Sequence, residues 1–301
     1  MSGRDSFGSR REARAAWAFL APALLTLLVF FLLPVLLAFV LSFTDFDLYA
    51  VGDPGNARWV GLRNYGDLLR EPLFWRALRN TLLFAFLGGP LTVALALGAA
   101  LLVNAPLTRG RRFFRTAFFA PVVATLVAMA VVWHALYHPR FGPIGHLLAA
   151  LGLPRVDWLG DPRFALPALV LLAAWKNFGY TMVVFVAGLQ GIPEELYEAA
   201  RIDGARALQR FRHVTLPLLG PTFSFVGVVT LIGYLQVFAE PYVMTPEGGP
   251  LKSTLTASLL MYERGFRWWS LGPAAAIAVL LFVVVLAVTL LQLRLQGGEG
   301  A

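Results

Sequence analysis

The first residue with a possible chemical role is a lysine in the middle of an apolar stretch. Lys176 lies about 11 residues inside the run 165–189, roughly 16 Å along a helix. An ammonium group near the centre of a membrane costs about 2.5–3.5 kcal/mol, so it is expected to face a cavity or a partner group. Chemistry alone leaves two roles open: contact with a solute that crosses the membrane, or pairing with polar groups inside a helix bundle.

Two further polar side chains lie near the end of another apolar run, 219–243. Gln236 and Glu240 are one helical turn apart and share a helix face. Their depth differs from that of Lys176 by about 12 Å, which argues against a direct bridge to Glu240. We expect Glu240 to be a gate or a structural polar group.

The segment 191–217 is typical of two short helices rather than of a linker. Pro193 suits the first helical position, so the first helix is expected to run from Pro193 to about Asp203. Gly204 permits a bend, after which a second helix is expected over 205–214. Pro217 then marks the start of the next apolar run.

The first of these helices has a face of small side chains. Leu196, Ala199, Ala200 and Asp203 are spaced by three and four residues, and Glu198 lies beside them. Small side chains let another surface approach closely, so this helix could pass force from a partner protein to the apolar runs on either side. An amphipathic helix that only lies on lipid headgroups remains the alternative.

The composition is that of a membrane protein. Of the 301 residues 58% are hydrophobic and 14% charged, whereas roughly a quarter are charged in soluble domains. The chain has no cysteine, and His134 and His138 lack a third ligand, so we expect no metal site. The net charge of +8 is spread between apolar runs, which indicates membrane topology and no nucleic-acid partner.

The apolar runs divide the chain into an N-terminal segment 1–16, a membrane domain 17–296 and a tail 297–301. Six membrane spans are expected, at about 17–43, 81–103, 115–137, 165–189, 219–243 and 273–293. All charged residues in the loop TRGRRFFR at 108–115 are basic, and basic loops stay on the cytoplasmic side. Both termini are therefore predicted to be cytoplasmic, with the chain in the cytoplasmic (inner) membrane.

The stretch EAARIDGARALQRFRHVTLPLL at 198–219 resembles the EAA loop of binding-protein-dependent ABC importer permeases. That pattern has EAA, a glycine four residues after the last alanine, and a Leu-Pro pair, and all of its elements stand here. The longer stretch GLQGIPEELYEAARIDGA at 188–205 resembles the carbohydrate branch of these permeases. AFLAPALLTLLVFFLLPVLLAFVLSFTDFDL at 18–48 and WVGLRNYGDLL at 59–69 are similar to the first permease of maltose-, lactose- and glycerol-3-phosphate-type systems.

This resemblance implies an all-α polytopic membrane protein with the six-helix ABC type I importer permease fold and a cytoplasmic EAA coupling helix. It also implies partners: a second homologous permease, two ATP-binding cassette ATPases and an extracytoplasmic solute-binding protein. The residues implied to couple the chain to an ATPase are Glu198, Ala199, Ala200, Asp203, Gly204 and Pro217. No GxxxxGK[ST] run is present, so we expect ATP and Mg to bind the ATPase partner and this chain to use no cofactor.

The resemblance also implies a solute path, because the positions after the span-four tryptophan, Trp175, lie at the sugar cavity of maltose-type permeases. The residues predicted for this path are Lys176, Asn177, Thr230, Gly233, Tyr234, Gln236 and Glu240. Lys176 and Val237 depart from the maltose pattern, so the identity of the sugar does not transfer. A sugar or oligosaccharide is the expected solute, and glycerol-3-phosphate or another polyol phosphate is the alternative, for which Lys176 would supply a cation.

Two other protein classes compete with a permease. An ion-coupled secondary transporter usually has buried acidic ion sites or broken-helix repeats, and these spans offer little acid besides Glu240. A membrane-embedded enzyme needs a constellation such as HExxH or a serine with a histidine, and no such motif is present. We therefore expect a transport subunit and not an enzyme.

Overall fold

The computed structural model describes residues 5–105 and 110–297. The chain is 80% helical, and the described residues form no strand beyond one isolated bridge between Thr44 and Trp59. The helices are α1 (Asp5–Leu27, continued by a π-helical turn, Leu28–Leu32, and by Leu33–Leu41), α2 (Leu48–Gly52), α3 (Arg63–Arg70), α4 (Pro72–Asn104), α5 (Arg111–Val123), α6 (Leu126–Tyr137), α7 (Pro143–Ala150), α8 (Ala165–Gln190), α9 (Glu194–Ile202), α10 (Ala207–Leu218), α11 (Gly220–Leu235), α12 (Ala239–Met244), α13 (Ala257–Tyr262) and α14 (Leu271–Gly297). Residues 1–4, Arg109 in the basic loop, and residues 298–301 of the predicted tail lie outside the described residues.

Several helices are long and apolar enough to cross a membrane. Within the described ranges four qualify alone: Glu12–Leu41, Pro72–Asn104, Ala165–Gln190 and Leu271–Leu295. Two bent pairs, α5 with α6 and α10 with α11, each qualify together, so the number of spans reaches six if each pair is one span. The chain is a multi-pass α-helical membrane protein, and the count of six spans stays a prediction.

The run predicted as one span over 115–137 is two helices in the structure. Helices α5 and α6 meet at an angle of 101°. Ala124 and Thr125 have extended backbone between them, and the Thr125 hydroxyl accepts a hydrogen bond from the amide of Ala128 at 3.4 Å. Threonine favours such an N-cap position because its side chain satisfies a free amide, so a second helix starts within the apolar run.

The run predicted over 219–243 also differs from a single helix. Helix α11 ends at Leu235, and the outer part forms the separate helix α12. Pro241 lacks an amide hydrogen and its ring would clash with the carbonyl of Val237, which explains the interruption. That carbonyl instead accepts a hydrogen bond from the Thr256 hydroxyl at 3.0 Å.

The chain divides into two compact units, which we describe separately. One comprises Met1–Leu68 and Tyr262–Val279. In it Asn64, from the stretch WVGLRNYGDLL, donates two hydrogen bonds to the carbonyls of Ser42 and Thr44 at 2.9 and 2.8 Å. The Tyr65 and Ser42 hydroxyls are 2.6 Å apart. These contacts fix the chain where it leaves α1.

The other unit comprises Leu69–Met261 and Leu280–Ala301. Its core forms mainly where α4, α5 and α11 pack against α8 and where α11 packs against α4. Small residues permit this close packing. A Cβ added to Gly179 on α8 would clash with the carbonyl of Phe118 on α5, and one added to Gly188 would clash with Thr222 on α11. The large fully buried side chains of this unit include Phe84, Phe185 and Met182.

Candidate functional site

A cavity of about 230 Å³ lies among α4, α5, α8 and α11. Most of its wall is apolar, and a few residues with polar side chains also line it. These polar groups belong to Thr92, Asn177, Tyr180, Thr181, Thr230 and Tyr234. A largely apolar wall with a small number of placed hydroxyl and amide groups is the usual make-up of a small-molecule site.

Tyr234 is held in this cavity by residues from two other helices. Its hydroxyl is 2.5 Å from the hydroxyl of Thr92 on α4 and shares a second hydrogen bond with Asn177 on α8. The Thr92 hydroxyl also donates to the carbonyl of Gly88 at 2.8 Å. The Tyr234 ring lies against Gly88, where any Cβ would collide with it, and its centroid is 5.3 Å from that of Phe84. The ring packs against one surface of α4, which Phe84, Gly88 and Thr92 form on successive helical turns.

The structure brings four of the predicted path residues to the cavity. Asn177, Thr230, Gly233 and Tyr234 line it. This arrangement follows from helix periodicity, because Thr230, Gly233 and Tyr234 share a face of α11. Their contact with a solute stays a prediction.

The other three predicted path residues do not line this cavity. Lys176 and Glu240 are half-buried, and Gln236 is exposed at the end of α11. Glu240 interacts electrostatically with Lys176 and with Tyr234. Within the described ranges, Lys176 has no ion-pair partner within 4.0 Å. A direct bridge between Lys176 and Glu240 is therefore absent from this structure, as expected from their depths.

Sequence reasoning missed three polar residues of the cavity. Tyr180 follows Asn177 by three residues, and this spacing on one helix face was the available signal. Thr181 is on the same helix. Thr92 had no signal in the sequence, because it lies 142 residues from Tyr234 and only packing of α4 against α11 brings the two hydroxyls together.

The segment predicted to couple the chain to a partner forms two helices, with bounds that differ from the prediction. Pro193 precedes α9 as its cap rather than occupying its first turn. Gly204 has a left-handed backbone with φ of +76°. The amides of Gly204 and Ala205 bond back to the carbonyls of Arg201 and Ala200 at 3.0 and 2.9 Å, which is the hydrogen-bond pattern of a glycine-terminated helix.

The second helix of this segment, α10, is longer than predicted. It begins at Ala207 rather than at residue 205 and continues to Leu218, so Pro217 lies inside it. A bend of 65° then separates α10 from α11. The break follows Leu219, which is fully buried, and precedes Gly220 and Pro221.

Helix α9 has an inner and an outer face. Tyr197 is half-buried, and its hydroxyl is 2.9 Å from that of Thr215. Glu198, Ala199 and Asp203 are exposed, and Ala200 is half-buried. Ile202 is 87% exposed, so the outer face combines small, acidic and large apolar side chains, and Leu208 on α10 is also 76% exposed. Such a mixed patch is typical of a protein-binding surface.

A loop with several hydrogen bonds to α4 follows α12. Its residues Glu247, Leu251 and Lys252 have left-handed backbones, which are strained for non-glycine residues. Asn80 on α4 donates to the carbonyls of Lys252 and Leu255 at 3.1 and 2.9 Å, and Arg76 donates to that of Leu251 at 2.9 Å.

A second exposed loop carries the pair Asp161 and Arg163, whose side chains are 2.7 Å apart. The hydrogen bonds and positive charge of Arg163 hold the pKa of Asp161 below its ordinary value.

The comparison with known protein families decides the class of this chain. The sequence pattern described as "Binding-protein-dependent transport system inner membrane component" matches residues 93–297. The chain belongs to this family. It is therefore a membrane-embedded permease subunit of a binding-protein-dependent ABC importer and not an enzyme, which confirms the predicted all-α permease fold and the predicted class.

Relatives of the permease match it over nearly its whole length. It is 34% identical to the arabinooligosaccharides transport system permease protein AraP of Bacillus subtilis over 301 residues, covering 99% of this chain and 93% of the relative. It is 36% identical to the lactose transport system permease protein LacF of Rhizobium radiobacter, covering 92% of each chain.

A solved structure supports the same conclusion. A chain of a bacterial ABC transporter involved in the import of the acidic polysaccharide alginate superposes with a TM-score of 0.80 at 25% identity, covering 98% of the permease and 99% of that chain. A chain of the MetNI methionine ABC transporter has a TM-score of 0.55 at 19% identity over 77% of the permease, which shows a shared fold alone.

Proposed function

We propose that the permease forms half of the translocation path for a sugar or oligosaccharide. The observation that carries this proposal is the cavity around Tyr234, where an aromatic ring stands beside hydroxyl and amide groups of Thr92, Asn177 and Thr230. Sugars need hydrogen-bonding groups for their hydroxyls and an apolar ring for their C–H faces. The relatives named for arabinooligosaccharides and lactose support the same solute class.

The test is uptake by the assembled transporter in proteoliposomes. Tyr234→Ala should reduce uptake of the cognate sugar by tenfold or more, while Tyr242→Ala, which alters an exposed tyrosine outside the cavity, should leave it within twofold. Equal uptake by the Tyr234→Ala transporter would contradict the proposal.

A polyol phosphate is the second candidate solute. Lys176 favours it, because its ammonium group is half-buried and has no ion-pair partner within 4.0 Å in the part of the chain that the structure describes. Lys176→Gln should weaken uptake of a phosphorylated polyol at least tenfold and leave neutral sugars unaffected. Loss of neutral-sugar uptake, with no selective loss for the phosphorylated polyol, would assign Lys176 a structural role.

We further propose that the transporter contains this permease, a second homologous permease, two ATPases and an extracytoplasmic solute-binding protein. The description of the matched family states that transport depends on a binding protein. ATP and Mg would bind the ATPases, and this chain would need no cofactor. Co-purification of the tagged permease with the products of neighbouring genes tests this composition.

The exposed face of α9 is the proposed contact with an ATPase. Glu198, Ala199, Ala200, Asp203, Gly204 and Pro217 would form or support it. Glu198→Lys should abolish ATP-driven uptake while the protein remains in the membrane. Glu12→Lys, a charge reversal of another exposed acid on the same predicted side, should retain uptake. Full uptake by an assembled Glu198→Lys transporter would count against this contact.

Both termini are proposed to be cytoplasmic. The chain has no cysteine, so single cysteines introduced at exposed positions can be labelled without background. A cysteine at Glu12, which is exposed in the predicted N-terminal segment, should react with a membrane-impermeant maleimide only after lysis, and one at Asp157 should react in intact spheroplasts.

A further inference from the structure

A second, larger cavity lies on the far side of α9 from its exposed face. Its volume is about 800 Å³, and it is bounded by the end of α4, the start of α5, the end of α8, and helices α9 and α10. The cavity around Tyr234 shares no lining residue with it. It is therefore distinct from the proposed solute path.

Three arginines from three helices line this cavity. They are Arg111 on α5, Arg201 on α9 and Arg210 on α10, and Glu194 is the acidic residue in the same wall. Arg201 pairs with Glu194 at 3.3 Å, with both side chains more than half exposed. Arg111 donates to the carbonyl of Ala105 at 2.9 Å. One glutamate facing three guanidinium groups leaves the cavity positively charged.

Arg210 is the most buried of the three arginines. Its side chain lines the cavity, while its Nε atom is inaccessible to solvent and has no hydrogen-bond partner within the described ranges. A guanidinium keeps its positive charge in such a setting, and its planar fork of N–H donors matches phosphate oxygens.

The position of the cavity points to the source of that phosphate. Asn104 and Gln190 in its wall are the last residues of α4 and α8, two helices that are long and apolar enough to cross a membrane. The ends of such helices lie at the level of lipid headgroups. Basic pockets at this level bind anionic headgroups.

We propose that this cavity binds the phosphate of an anionic phospholipid through Arg111, Arg201 and Arg210. The bound headgroup links α9 and α10 to the start of α5 and reduces the repulsion among the three arginines. Lipid composition would thereby control how firmly the proposed coupling helix is held. Binding itself does not depend on the proposed contact between α9 and an ATPase.

The test measures lipid retention by the full chain. Native mass spectrometry should show phosphatidylglycerol bound in preference to phosphatidylcholine after purification from mixed nanodiscs. Arg210→Gln should lower this retention about tenfold, the loss expected from one charge-assisted contact. Arg212→Gln, which removes an exposed arginine of the same helix outside the cavity, should have no effect.

A second variant and a second ligand complete the test. Arg111 is exposed, so Arg111→Gln should fold normally and still lower phosphatidylglycerol retention. Equal retention by wild type, Arg210→Gln and Arg111→Gln would overturn the proposal. Binding of inorganic phosphate that depends on Arg210, without preference for phosphatidylglycerol, would assign a soluble phosphate ligand and overturn the lipid assignment.

Discussion

The hydroxyl groups of Thr92 on α4 and Tyr234 on α11 are 2.5 Å apart, within a buried hydrogen-bonded set that also includes Asn177. Side chains from α4, α8 and α11 thus meet at the Tyr234 hydroxyl. Because the ring also rests against Gly88, its position in the cavity is determined by backbone packing as well as by hydrogen bonds.

Thr92→Val should weaken uptake while preserving the shape of the cavity wall. The substitution replaces a hydroxyl with a methyl group of similar size and leaves the Tyr234 hydroxyl with one partner fewer, at a cost of about 1–2 kcal/mol. We expect a several-fold lower rate of sugar uptake by proteoliposomes with normal assembly. Thr116→Val, which removes an exposed hydroxyl bonded to its own helix, is the control and should keep full uptake.

Gly88→Ala should displace the Tyr234 ring. The added methyl would occupy the space of the ring, and overpacking of this kind costs about 1–3 kcal/mol. The thermal unfolding temperature and sugar uptake should therefore both fall. Gly98→Ala on the same helix has open space around its Cβ and should raise stability by about 0.5–1 kcal/mol. Similar melting curves for the two variants would refute this view of Gly88.

Gly204→Ala should destabilise the end of α9. A left-handed backbone costs a residue with a side chain about 1–2 kcal/mol, whereas asparagine tolerates it better. We expect uptake to fall in the order glycine, asparagine, alanine at position 204. Gly220→Ala, where the backbone is right-handed and the space is open, should retain uptake. A different order of uptake among these three variants would show that the left-handed turn at residue 204 does not limit transport.

Asn80→Asp should release the loop that follows α12. The amide donates to two carbonyls, and a carboxylate would instead place oxygen atoms against them. We expect faster proteolysis between residues 246 and 254. Asn56→Asp, at an exposed position in the other unit, should leave the protease pattern unchanged.

The sequence predicted the apolar runs and the coupling segment because both depend on local patterns. Helical spacing placed Thr230, Gly233 and Tyr234 on one face, and the structure puts all three at the cavity. The same spacing would have indicated Tyr180 beside Asn177. A glycine four residues after the last alanine of EAA similarly indicated the turn at Gly204.

Other features could not be read from local patterns. The contact of Gly88 and Thr92 with Tyr234 depends on how α4 packs against α11. The break before α6 depends on whether Thr125 caps a helix or continues one, and apolar neighbours do not distinguish these outcomes. Pro241 was an unused signal for an interruption within 219–243, but the Thr256 hydroxyl that bonds the freed carbonyl of Val237 lies 19 residues further along the chain.

The 65° bend between α10 and α11 sets the two helix axes in different directions. Leu219, which is fully buried, lies at the bend. A displacement of α10 along its own axis would therefore act mainly across the axis of α11, on which Thr230 and Tyr234 line the cavity.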